Sequence, residues 1–200
     1  NYTSVDIGAF EKYFEDMPYD PYVKGNFRMR RFSSIKKDDL GKWKILPHKT
    51  FTQTADVNDL LGDVVREYEE IDEKLIKSKP FEHIVTGFVN LSGINPYITE
   101  IGIHQMRILC SEYIKGEPAP EGRHQDGFDY VGIFCARRVK VTGGISELFL
   151  NKDDTKPILK KTLRQNELLV VNDREVFHNA TKLSPVDLEL GYRDVFVFTA

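Results

Sequence analysis

Glu121 to Tyr130 read E-G-R-H-Q-D-G-F-D-Y and place His124 and Asp126 two residues apart, beside a glycine. In an extended segment residues i and i+2 point to the same side, so an imidazole and a carboxylate converge in front of the backbone. A third metal ligand is offered by His178 in V-F-H-N-A-T, after the apolar run Glu167 to Asn172. Two histidines and one carboxylate leave an octahedral metal with one open face, which suits an Fe(II) that must also take a co-substrate and O2. Arg193, in the strand-like run G-Y-R-D-V-F-V-F-T-A, returns a guanidinium toward the same cavity, where it can hold a distant carboxylate as a bidentate pair. A lone His-x-Asp arises by chance. The ordered set of His-x-Asp, a distant His and an Arg on the final strand is far more specific.

Three further groups carry charge in strand-like runs. In F-R-M-R-R-F-S, alternation puts Arg28, Arg30 and Phe32 on one face, either to meet an anion or as a solvated edge whose charges discourage pairing. In I-G-I-H-Q-M-R it sets Ile101, Ile103, Gln105, Arg107 and Leu109 on one face, and His104, Met106 and Ile108 on the other. A buried Gln105 and Arg107 require polar partners, either a bound carboxylate or an internal one. Asp129 and Arg137 share a face after the H-Q-D, and by charge type they match the ammonium and carboxylate of a free amino acid, beside the apolar Ile103, Phe128 and Phe134.

The elements that must position these residues follow from periodicity. Asp6 to Met17 reads as a short helix with Asp6 as N-cap and Ile7, Phe10 and Phe14 at helical spacing, stopped by Pro18. Gly41 to Thr54 reads as loop, with His48 structural or exposed. Asp56 to Lys79 has apolar residues at i, i+3, i+4 and i+7, which predicts a long helix ended by Pro80 and laid against a sheet. From Phe81 strand signals dominate: F-E-H-I-V-T-G-F-V-N-L-S, with His83 packed in a strand, then some eight short strands separated by turn signals. That order predicts a mainly β protein with flanking helices and a jelly-roll or double-stranded β-helix core, cupin-like in form. One domain is expected over 1–200, with 1–80 supplying helices and an edge strand that support a core at 81–200.

Two hundred residues with 40% hydrophobic and 12% aromatic content can bury a substantial core. A net charge of −3 gives no electrostatic case for nucleic acid or an anionic membrane. Cys110 and Cys135 lie in apolar runs without CxxC or zinc spacing and read as buried reduced thiols. No apolar stretch has the length of a membrane span, and the opening N-Y-T-S-V-D-I-G lacks a basic then apolar leader, so a cytoplasmic protein is expected. The sequons at Asn1, Asn90 and Asn179 are then accidental.

The chain resembles the Fe(II)/2-oxoglutarate-dependent dioxygenases, and within them the small bacterial and fungal group that includes L-isoleucine 4-hydroxylase. The resemblance rests on F-R-M-R-R-F-S (Phe27 to Ser33), I-G-I-H-Q-M-R (Ile101 to Arg107), H-Q-D, G-G-I-S (Gly143 to Ser146), V-F-H-N-A-T and Y-R-D-V-F-V-F-T, in the family's order across most of the chain. It implies that His124, Asp126 and His178 bind Fe(II), that 2-oxoglutarate chelates the metal, and that its far carboxylate pairs with Arg193. Many relatives place Ser or Thr two residues after that arginine. This chain has Val195 there, and Thr199, of the same strand parity, is the substitute. The implied reaction couples decarboxylation of 2-oxoglutarate by O2 to oxidation of an unactivated C–H of a small molecule, a free aliphatic amino acid such as isoleucine, leucine or valine. Two rivals stay open: the same core acting on a protein side chain or another metabolite, or closing a ring or desaturating; and a non-enzymatic metal-binding jelly roll. The second has no use for a carboxylate clamp at Arg193.

Overall fold

Most of the expected strands form, and their register decides which residues can meet. The computed structural model describes residues 6–55, 57 and 60–200. A 3-10 turn (Ile7–Phe10), capped by Asp6, runs into α1 (Glu11–Glu15). Then come β1 (Arg28–Lys37), β2 (Trp43–Ile45), α2 (Glu73–Ile76), α3 (Lys79–Ser92) and β3 (Ile101–Cys110). The rest is strand and loop: β4 (Tyr130–Val139), β5 (Val141–Gly143), β6 (Ile145–Phe149), β7 (Leu159–Thr162), β8 (Leu168–Asn172), β9 (Phe177–Ala180), β10 (Leu183–Pro185) and β11 (Gly191–Thr199).

Six strands form one antiparallel sheet in the order β2-β1-β3-β11-β4-β8, while β7-β6-β9 and β10-β5 form smaller sheets. The six-stranded sheet packs on β6 through Val131, Leu148 and Val171, giving the two-walled jelly-roll core. Its other face is closed by the helices, where Phe10, Phe14, Phe81 and Phe88 surround Phe196 and Phe198. Because side chains alternate across a strand, every strand in the middle of this sheet has one face in that apolar core and one toward the space between the sheets. Across β1, β3 and β11 the pairing sets Arg28, Ile108 and Arg193 in one row and Arg30, Met106 and Val195 in the next.

β1 is no open edge. β2 pairs with its end, and Pro18, Asp20 and Glu69 take up backbone hydrogen bonds along its remaining side. Two helix boundaries differ from expectation. The long helix expected over Asp56 to Lys79 does not form among the described residues: Asp63 has φ 59°, and Phe51 and Arg66 exchange both backbone hydrogen bonds, which pins the chain at this point. Before Lys79 opens α3, the helix described in this stretch is Glu73–Ile76, capped by Asp72. Asp56, Asn58 and Asp59, and the sequon at Asn1, lie outside the described residues. Phe81 to Ser92, expected as a strand, is helix α3. Ser78 caps it, Pro80 stands in its first turn where no N–H is needed, and Gly93 at φ 74° ends it. The buried Phe81, Ile84, Val85 and Phe88 mark a period of 3.6, which places His83 on the exposed side of that helix. Cys110 and Cys135 are buried free thiols, and burial raises both.

Candidate metal centre and cavity

His178 sits on β9 and exchanges both backbone hydrogen bonds with His124, which brings two segments far apart in sequence side by side. The ligand atoms of His124, Asp126 and His178 all lie within 4.8 Å of one another. Asp126 Oδ1 is 3.6 Å from His124 Nε2, and Oδ2 is 3.4 Å from His178 Nε2. The Nδ1–H of His124 donates to Gly122 O at 2.8 Å, which leaves Nε2 free to bind a metal. Glu121 Oε1 lies 3.1 Å from the same Nε2.

The supporting shell comes from Asp173, which the sequence reading missed. One of its oxygens accepts the backbone N–H groups of Asp126, Gly127 and Phe128 at 2.8, 2.9 and 3.2 Å, and the other is 3.2 Å from His178 Nε2. Gln53 Nε2 donates to Asp126 Oδ1 at 3.1 Å, and Arg66 in turn donates to Gln53 Oε1 at 3.0 Å. The three ligand groups shift one another's titration. Burial alone would raise Asp126, but hydrogen bonds from His124 and His178 outweigh it and hold the carboxyl well below its usual range. Burial pulls His178 down, while Asp126 and Asp173 push it up to about 10. His124 is raised by the same carboxylate against its own burial.

The cavity beside this cluster is lined by Arg28, Arg30, Phe51, Gln53, Arg66, His104, Met106, Ile108 and Arg193, with Val195 and Val197. Arg28 is engaged by Asp20 at 2.8 Å. Arg30 donates to His104 Nδ1 at 2.7 Å, so that ring accepts at Nδ1 and is neutral. Burial first, and the nearby Arg30 next, hold His104 well below its ordinary value. Arg193 is 3% exposed, and its Nε and Nη2 have no partner among the described residues.

The structure separates the other expected site residues. Gln105 and Arg107 share a face, as alternation requires, but it is the opposite face from the cavity. Gln105 donates to Tyr13 O at 2.7 Å, and Arg107 holds the buried Asp194 through two bonds of 2.7 and 2.8 Å. Arg137 pairs with Glu11 outside the sheet. The irregularity between Asp194 and Val195 places Arg137 opposite Asp194 and Cys135 opposite Val195, so Ala136 is an extra residue that breaks the two-residue alternation. Asp129 pairs with Arg174 on the surface, and Ile103 and Phe134 belong to the helix-covered core. Thr199 does line the cavity, with a buried hydroxyl that has no partner among the described residues. It stands six residues from Arg193, however, roughly 20 Å along a strand, too far to share one carboxylate with it.

Two histidines and a carboxylate that could hold one metal ion, beside a cavity that also holds a buried arginine in a jelly roll, fit a mononuclear metal oxygenase of the co-substrate-using kind. A sequence model of the 2OG-Fe dioxygenase family matches residues 11–199, and the chain belongs to that family, which implies Fe(II), 2-oxoglutarate and O2. The 3(1)-hydroxy-L-isoleucine 4-dioxygenase of Pantoea ananatis (strain AJ13355) is 27% identical over 133 residues, 64% of this chain and 53% of its own length. The chain thus spans about half the length of that curated relative. A solved bsmA homolog from Methylobium petroleophilum PM1 has a TM-score of 0.80 at 26% identity, covering 96% of this chain and 79% of its own. IDO from Bacillus thuringiensis shares the fold, with a TM-score of 0.79 at 18% identity over 96% and 84% of the two chains. The residues present fit the implied groups. Two imidazoles and a carboxylate are a donor set that suits Fe(II), and Arg193, with Nε and Nη2 unpartnered among the described residues, fits a carboxylate. Among the described residues no helix is long and apolar enough to cross a membrane.

Proposed function

We propose that this chain oxidises, most simply by hydroxylation, an unactivated C–H of a free aliphatic L-amino acid, with Fe(II), 2-oxoglutarate and O2. The observation that carries the reading is the charge of the cavity. Arg30, Arg66 and Arg193 are all buried in its wall, and none has a carboxylate partner among the described residues. The carboxylate that acts on Arg30, Asp20, is already engaged by Arg28, and buried cations short of counter-charge are costly, so a small carboxylate ligand is favoured there. The printed name of the Pantoea relative, an amino-acid dioxygenase, supports the same class of substrate.

In this reading His124, Asp126 and His178 hold the metal and Arg193 holds the far carboxylate of 2-oxoglutarate. The metal and co-substrate supply the oxidant that no side chain can. The protein's own work is positional. Gly122 O orients the His124 ring, Asp173 holds the Asp126 backbone, and Gln53 holds one Asp126 carboxylate oxygen. Met106, Ile108, Val195 and Val197 give the cavity its apolar wall, which suits a branched aliphatic side chain. A hydrophobic pocket separates substrates differing by one methylene by only about 1–3 kcal/mol, so isoleucine, leucine and valine should all react to differing extents.

The test is an incubation of anaerobically iron-loaded protein with 2-oxoglutarate, air and the twenty amino acids, read by mass spectrometry, with Asp126→Ala as control. An added oxygen on a branched aliphatic amino acid, absent from the control, is the expected result. Consumption of 2-oxoglutarate that no amino acid stimulates would contradict the reading.

A further inference from the structure

We propose that Arg30 and Arg66 form a second carboxylate subsite, separate from Arg193, that holds the α-carboxylate of the substrate. The inference rests on the amino-acid reading above and goes further by naming the residues that read one end of the molecule.

Arg30 and Arg66 reach the cavity from different parts of the chain, β1 and the base of the loop pinned to Phe51, and they meet on one aromatic ring. The Phe51 ring lies 5.3 Å from the Arg30 guanidinium and 4.7 Å from that of Arg66. Arg30 also lies 4.5 Å from the Tyr68 ring. Two like charges thus share one aromatic neighbour at 7% and 2% exposure. Their polar partners are neutral, His104 for Arg30 and Gln53 for Arg66, and the Nε of each has no partner among the described residues. Aromatic faces and neutral acceptors offset part of the cost of burying two cations, while the nearby carboxylate, Asp20, is shared with Arg28. An anion bound in the cavity that both residues line offsets the remaining cost, and a planar carboxylate matches the guanidinium fork.

The subsite is tied to the metal end of the cavity by two hydrogen bonds, Arg66 to Gln53 and Gln53 to Asp126. A substrate anchored there lies beside the metal. Arg193 is left for 2-oxoglutarate, since it stands on β11 in the row of Arg28, one row along from Arg30 and two strands away.

The test is calorimetric titration of Mn(II)-loaded protein, first with 2-oxoglutarate and then with L-isoleucine or its amide. In Arg30→Gln and Arg66→Gln, L-isoleucine should bind about tenfold more weakly or worse, while 2-oxoglutarate stays within about twofold of the parent. The parent's preference for the acid over the amide should vanish. Unchanged isoleucine binding, or an equal loss for 2-oxoglutarate, overturns the proposal. If the Gln variants do not fold, Arg30→Lys and Arg66→Lys keep the charge and lose the fork. A reduced preference for the acid then supports the subsite, and an unchanged one overturns it. If the parent binds no L-isoleucine, the amino-acid reading fails by itself and butyrate replaces it as probe. Butyrate binding lost in Arg66→Gln retains the carboxylate subsite, and no butyrate binding by the parent overturns it.

Discussion

The Asp173 carboxylate accepts the backbone N–H of Asp126 at 2.8 Å, so the metal-binding carboxylate is held in place by a second, buried acid that is 1% exposed. The same oxygen takes the N–H groups of Gly127 and Phe128. Asp173→Ala leaves three donors without their acceptor. It should lower metal affinity by about 10–100-fold and stability by about 1–3 kcal/mol. Metal titration and denaturant unfolding of the same preparation check both. Parental metal affinity would show that the loop holds its geometry without Asp173.

Arg193 is buried with two nitrogens unpartnered, and its proposed task is the far carboxylate of 2-oxoglutarate. Arg193→Ala should weaken 2-oxoglutarate binding by about 2–5 kcal/mol, the scale for truncating one partner of a buried charge pair. Arg193→Lys should recover only part, because a point charge does not reproduce the planar fork. A titration in which both variants bind like the parent removes Arg193 from the site.

Arg107 tests the assignment of faces. It is paired with Asp194, which is fully buried, on the far side of β3 from the cavity. Arg107→Ala should therefore cost about 3–5 kcal/mol of stability by stranding that carboxylate, with 2-oxoglutarate affinity unchanged in the folded fraction. Loss of co-substrate binding at parental stability would put Arg107 back in the site.

The metal-free chain should also show a distinctive pH dependence. His178 is pulled down by burial and pushed up more strongly by Asp126 and Asp173, to about 10 from an ordinary 6.5. A folded value above the unfolded one means that the proton stabilises the fold. The contribution is complete below 6.5 and is lost as pH rises through about 10. The melting temperature of metal-free protein should fall over that window, and His178→Asn should flatten the fall. A bound divalent metal takes the place of that proton, so its stabilising effect should instead grow with pH. A metal-free slope that His178→Asn leaves unaltered contradicts this origin.

The chemistry-bearing residues were the most legible part of the chain, because His-x-Asp, a distant His and a terminal-strand Arg are defined by type and order alone. Their supports were not. Alternation correctly grouped Gln105 with Arg107 and His104 with Met106, yet parity does not tell which face looks inward. That depends on α1 and α3 covering the other one. The extra residue at Ala136 is silent in composition and turned Arg137 outward. Asp56 to Lys79 carries helical spacing, but its backbone is claimed by the Phe51–Arg66 bridge, and this loop is what delivers Gln53 and Arg66 to the cavity. In α3 the signals at Ser78, Pro80 and Gly93 were present, and Pro80 was read as the end of one helix when it stands in the first turn of another.

The most direct test of the central claim compares succinate release with L-isoleucine, its N-acetyl form and its amide, using iron-loaded protein and 2-oxoglutarate in air. Buried arginines that read the carboxylate of a free amino acid are left unpaired by the amide, so the account predicts release with L-isoleucine and a near-background rate with the amide. Equal rates with all three would contradict it and move the substrate to a peptide or protein side chain.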